Sequence, residues 1–255
     1  MLSDQESIVW KETHSFYGYN RYGLSEFSLD GIDCIIQGLY LRDIDKLGSD
    51  GKHKTFRGAI RSFAYLHFNR VVFTFKATYN LMFSGYYPES VNLIRSLLEE
   101  FVRFKYIEKH GKTEDLYLAL AGHTGIGGDK FKVKYKAQFD SVAPGLYVYY
   151  QTLCDVAHGA MASLMLKTDF KTLEADIGLV FHPERSTFAT NYFAVILYAY
   201  LDHLVKIYPE IILKDDMEFN GRFKKVTEIL ATLFEQIKND PTKKEWVTAL
   251  EGLFI

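Results

Sequence analysis

Residues 55–84 read TFRGAIRSFAYLHFNRVVFTFKATYNLMFS, residues 85–111 read GYYPESVNLIRSLLEEFVRFKYIEKHG, and the join between them decides the fold. The first stretch has no proline. Its apolar residues Ile60, Ala64, Phe68, Val71, Val72, Phe75 and Tyr79 recur in steps of three and four, the period of a helix with one buried face. Gly85 supplies a residue that tolerates the left-handed conformation of a helix end. Pro88 then falls in the first turn of a second helix, where its missing N–H costs nothing, and Glu89 lies beside the positive end of that helix's dipole. The two helices are expected to form an antiparallel hairpin, the centre of a mostly α, single helical-bundle domain of about seven helices with short extended segments.

Working outward, residues 1–54 are expected to form an irregular N-terminal arm with a short helix, followed by a helical domain over 55–255. Over 1–33 Tyr, Gly, Ser and Asn alternate without a sustained period, whereas CIIQGLYLRDIDKL (34–47) has helical spacing that GSDGKH then breaks. Beyond the hairpin, Thr113 can cap a short helix through 121, and GHTGIGGDK makes a loop. FKVKYK (131–136) alternates apolar and basic residues, a strand pattern, although a helix turn or an extended loop also fits. Helical spacing returns over 145–167. An extended piece near 177–181 ends at Pro183, Ser186 can cap a helix over 187–207, and two more helices are expected over 216–238 and 242–252.

Composition narrows the function classes. Hydrophobic residues at 48% and charged residues at 24% are ordinary for a globular protein, and the aromatic share of 16% points to thick ring packing. A formal net charge of -2 provides no overall pull toward RNA, DNA or an anionic membrane, so such a contact would need a local patch. Cys34 and Cys154 fit neither a disulfide framework nor a metal-binding pair. The start, MLSDQESIVWKETHSF, is acidic where a signal peptide is basic and then apolar, and FAVILYAYL (193–201) is about half the roughly 20 residues that span a bilayer. A cytoplasmic protein without a membrane partner is expected.

The polar residues that stand out lie on apolar helical faces. On the second hairpin helix Val91, Ile94, Leu98, Phe101 and Val102 share one broad face. Arg95 lies at its edge, with Glu99 and Arg103 following at four-residue steps. In YQTLCDVAHGAMASLML (150–166), His158 flanks an apolar face with Cys154, among small residues that let another helix come close. Each is costly to bury alone, so Arg95, Glu99 and His158 are expected to meet in space. A structural ion pair and a hydrogen-bonded core histidine are the plainer accounts of them, and a chemical role is the alternative.

LMFSGYYPESVNLIRSLLEEFVRFKYI, followed after an insert by YQTLCDVAHGA, resembles a family of uncharacterised bacterial helical domains known only as a domain of unknown function, over about residues 55–207. The resemblance implies a shared fold and a polar cluster of Arg95, Glu99 and His158, with Cys154 where a serine is more usual. The chain also resembles, more distantly, the higher eukaryote and prokaryote nucleotide-binding (HEPN) helical fold, many of whose members are metal-independent ribonucleases with an Arg and a His separated by a spacer of four to six residues. Two such spacings occur, Arg61 to His67 and Arg103 to His110. What the HEPN resemblance implies is RNA cleavage in a toxin or phage-defence setting, without cofactor or metal, by a homodimer. In that chemistry histidine moves the proton and arginine stabilises charge on the phosphate. The alternative is a non-catalytic helical module that binds a small ligand or a protein partner.

Other motifs carry less. GHTGIGGDK lacks the spacing of a phosphate-binding loop. Lys130, Lys132, Lys134 and Lys136, with Phe131 and Tyr135 between them, could touch phosphates but better suit a solvated edge strand. Asp155 and His158 form only part of a metal-binding helix pattern.

Overall fold

The computed structural model describes residues 4–20, 24–40, 56–111, 135–157, 168–169, 174–175, 181–213, 216–239 and 249–254. Their α-helices are α1 (Asp4–Asn20), α2 (Leu24–Tyr40), α3 (Phe56–Phe83), α4 (Tyr87–His110), α5 (Tyr135–Val142), α6 (Leu146–Ala157), α7 (Pro183–Ile207), α8 (Glu210–Leu213) and α9 (Met217–Lys238), and residues 249–251 are helical as well. The described residues also include a 3-10 turn, Gly252–Phe254, and a two-stranded antiparallel ladder in which Thr168 pairs with Ala175 and Asp169 with Glu174. The fold is mostly α, and the described residues are all-α apart from that ladder.

The hairpin forms as its punctuation dictates. Gly85 takes φ +86°, its N–H bonds back to the Met82 carbonyl (3.3 Å), and the Tyr86 N–H reaches Leu81 (2.9 Å), so the end of α3 is closed by its own backbone. Pro88 lies in the first turn of α4 as expected, and α3 and α4 pack along each other. Helix α7 is the axis of the bundle. Every residue from Ala189 to Leu197 is buried, because α2, α3, α4 and α9 surround it. A helix apolar on all sides belongs in such a position. Helix α4 is shared between layers, with α3 and α7 against part of its surface and α5 and α6 against the rest.

Several expectations are corrected. The region read as an irregular arm is helical over Asp4–Asn20 and Leu24–Tyr40. Its glycines misled because they serve close packing. A side-chain carbon at Gly31 would lie 2.9 Å from Leu197, and one at Gly38 would lie 3.3 Å from both Ile211 and Leu204, so both positions let α2 approach its neighbours. Helix α1 is weakly patterned and is held by tertiary contacts. Trp10 packs against Tyr79 and Phe83 at ring separations of 5.8 and 5.9 Å, and His14 bridges the Trp10 carbonyl (2.8 Å) and the Tyr79 hydroxyl (3.2 Å). The Tyr86 hydroxyl donates to Glu6 (3.1 Å).

Of the segment 131–136, expected as a strand with a helix turn as an alternative, Tyr135 and Lys136 belong to α5, whose buried positions are Gln138 and Phe139, and residues 131–134 lie outside the described residues. Helix α7 starts at Pro183 and not after Ser186. Proline fits the first turn, and the Ser186 N–H already bonds to the His182 carbonyl (2.8 Å). Helix α9 starts as expected, with Asp216 accepting from the Phe219 N–H (2.9 Å). The expected helix over 113–121, the loop at 122–130, the far part of 145–167 and the extended piece at 177–180 lie outside the described residues.

Candidate functional site

Helix α4 presents Arg95 and Glu99 to α6. The Arg95 Nε lies 3.7 Å from Glu99 Oε1, and each side chain keeps 19% of its surface exposed, at the border between core and solvent. From α6, the Tyr150 hydroxyl donates to the same Glu99 oxygen at 2.5 Å, and Cys154 Sγ lies 4.0 Å from Arg95 Nη1. One carboxylate thus faces both a cation and a phenol. Four-residue spacing puts Arg95 over Glu99 on one helix and Tyr150 over Cys154 on the other, so two helical ladders meet.

Burial pushes the Tyr150 phenol well above its ordinary range, and its hydrogen bonds with Cys154 and Glu99 add to this. It therefore remains a hydrogen-bond donor at any pH at which the protein is handled. His158 lies just outside the described residues. Arg95 and Glu99, two of the three residues expected to meet, lie together; the site also contains Tyr150, which falls on the helical spacing of 145–167. A tyrosine eight residues before a singled-out histidine, with Cys154 midway, was the available signal.

The two Arg–His spacings lead elsewhere. Arg61 pairs with Glu210 and lies over the Tyr208 ring at 5.1 Å, while Tyr208 donates its hydroxyl to the Arg61 carbonyl. His67 is 9% exposed and packs among Phe63, Phe104 and Tyr200 at ring separations of 6.2, 5.0 and 5.6 Å. Burial, helped by the charge of Arg70, pushes its imidazole down to about 3, so near neutral pH the ring is neutral and not the imidazolium that serves as a general acid. His110 is exposed, with Nε2 2.6 Å from the Ser141 hydroxyl, and Arg103 is half-buried.

Among the described residues no group of three or more His, Cys, Asp or Glu is arranged to hold a metal ion. Among the same residues no helix is long and apolar enough to cross a membrane. Compared with protein-family models, with curated proteins and with solved structures, the chain matches none.

Proposed function

We propose that Arg95, Glu99 and Tyr150, joined by His158, form the site of a HEPN-like, metal-independent ribonuclease acting in a toxin or phage-defence setting. The observation that carries this reading is the Glu99 carboxylate, held by the Tyr150 hydroxyl at 2.5 Å and set 3.7 Å from the Arg95 guanidinium. In the proposed reaction Glu99 takes the proton of an RNA 2′-hydroxyl, whose oxygen attacks the adjacent phosphorus. The bond from phosphorus to the 5′-oxygen breaks, His158 gives that oxygen a proton, and a cyclic phosphate remains. Arg95 stabilises the charge gathered on the phosphate oxygens. Tyr150 orients the carboxylate. A second copy of the chain, as HEPN-like proteins use, would complete the substrate groove.

A second reading, a non-catalytic module that binds a small ligand or a protein partner, draws on a different feature. Arg95 and Glu99 neutralise one another within one helix, as structural ion pairs do.

The test incubates purified protein with total and tRNA-sized RNA in EDTA, alongside Arg95→Met, His158→Ala and, for comparison, Arg61→Ala. The expected outcome is cleavage that falls by about 100-fold or more in the first two variants and persists in Arg61→Ala, with the circular dichroism spectrum unchanged. Cleavage that survives Arg95→Met and His158→Ala would overturn the site, and absence of cleavage in the folded wild type would favour the binding module.

A further inference from the structure

The centre of the bundle holds a second histidine, His203 on α7, 1% exposed and facing His67 across shared aromatic rings. Phe104 lies 5.0 Å from each imidazole, and Phe68 lies 6.0 Å from His67 and 6.4 Å from His203. Phe101 at 5.5 Å closes the layer around His203, and Tyr200 anchors it by donating its hydroxyl to the Leu97 carbonyl at 3.0 Å. His67 comes from α3, Phe101 and Phe104 from α4, and His203 from α7. The layer therefore joins the hairpin to the central helix.

The charges around it are already matched among themselves. From α3 and α4, Arg70 pairs with Glu100. Within α4, Lys105 lies 3.8 Å from Glu108, whose other near neighbour is His203 Nε2 at 3.4 Å. On α7, Lys206 holds Asp202 at 3.0 Å. Three cations thus lie near the two imidazoles; Arg70 and Lys206 are matched by Glu100 and Asp202, while Glu108 is shared between Lys105 and His203.

We infer that His67 and His203 form an acid-sensitive latch between the α3–α4 hairpin and α7. A proton on His67 would place a cation inside the aromatic layer beside the other imidazole and Arg70, and one on His203 would do the same beside Lys105 and Lys206, with Glu108, 3.4 Å away and shared with Lys105, as a carboxylate to meet it. Opening the layer to water removes that cost. Burial is the main reason both imidazoles resist protonation, His67 down to about 3 and His203 well below its ordinary range, with Arg70 acting on the first and Lys105, His67 and Lys206 on the second. The sign follows. Folded values lie below unfolded ones, so the packed state is fully favoured above about 6.5, the ordinary histidine value, and loses ground as the pH falls toward 3. Opening takes up as many as two protons, so its equilibrium constant rises up to about a hundredfold per pH unit within that window. Glu108 works in the opposite direction, because burial raises its value and the packed state takes up its proton more readily.

The experiment follows urea unfolding of the full chain by far-UV circular dichroism between pH 7.5 and 4.5, for the wild type, His67→Phe and His203→Asn. Each variant is expected to lose about tenfold per pH unit of the wild type's dependence. Histidine ring resonances of the wild type supply the second measurement, which needs no variant. Of the eight histidines, two are expected to show no titration while the protein stays folded. An unchanged pH dependence in both variants, or eight resonances titrating in the folded protein near 6.5, would overturn the latch. Should a variant fail to fold, the resonances of the wild type decide.

Discussion

Glu99 faces a guanidinium and a phenol, and the two contacts can be removed separately. Tyr150→Phe deletes a hydrogen bond to a charged group and leaves the ring in place, so the expected loss is about 1.5 kcal/mol, read from urea midpoints. Arg95→Met retains much of the side-chain volume and removes the cation. At this half-buried border it is expected to cost about 1 kcal/mol, well below the several kcal/mol of a fully buried pair. Half of this geometry was legible beforehand. Arg95 and Glu99 belong to one helix, and a four-residue step brings their side chains together whatever the rest of the chain does. Tyr150 belongs to another helix, where its ring follows the apolar period. Its hydroxyl acquires a partner only when α6 packs on α4, which a periodic pattern does not encode. His67 shows the converse, since an Arg–His spacing read along one helix says nothing of the three aromatic rings from other positions that enclose the imidazole.

At the scale of elements, the closure of α3 depends on a residue without a side chain. Gly85→Ala at φ +86° is expected to cost about 1–2 kcal/mol, the price of a left-handed conformation for an L-residue, measured as a lowered thermal midpoint. Asp216→Ala is expected to cost about 1 kcal/mol, because the Phe219 N–H at the start of α9 loses its acceptor. The boundary between α3 and α4 was readable because Gly85 and Pro88 act on their own backbone. The N-terminal helices were not. α1 has few apolar positions of its own and depends on Tyr79 and Phe83 of α3, while in α2 the glycines that look like breaks are points where Leu197, Leu204 and Ile211 come near. Where stability comes from partners distant in sequence, local propensity is a poor guide.

Across the whole molecule, one connected set of buried side chains runs from Ile32 on α2 to Leu253 in the final turn. With α7 touching α2, α3, α4 and α9, loss of any of these helices exposes the same interior, and a single cooperative unfolding transition is expected. The clasp at α1 provides a way to see this. The chain has two tryptophans, Trp10 and Trp246, and Trp246→Phe leaves one emitter, seated against Tyr79 and Phe83. Its fluorescence is then a private signal from the first helix. Emission that shifts to longer wavelength at the same urea concentration as the far-UV signal would mean that α1 leaves with the bundle. An earlier shift would reveal a detachable cover over the end of α3, and the protein would carry its own optical gauge of that event.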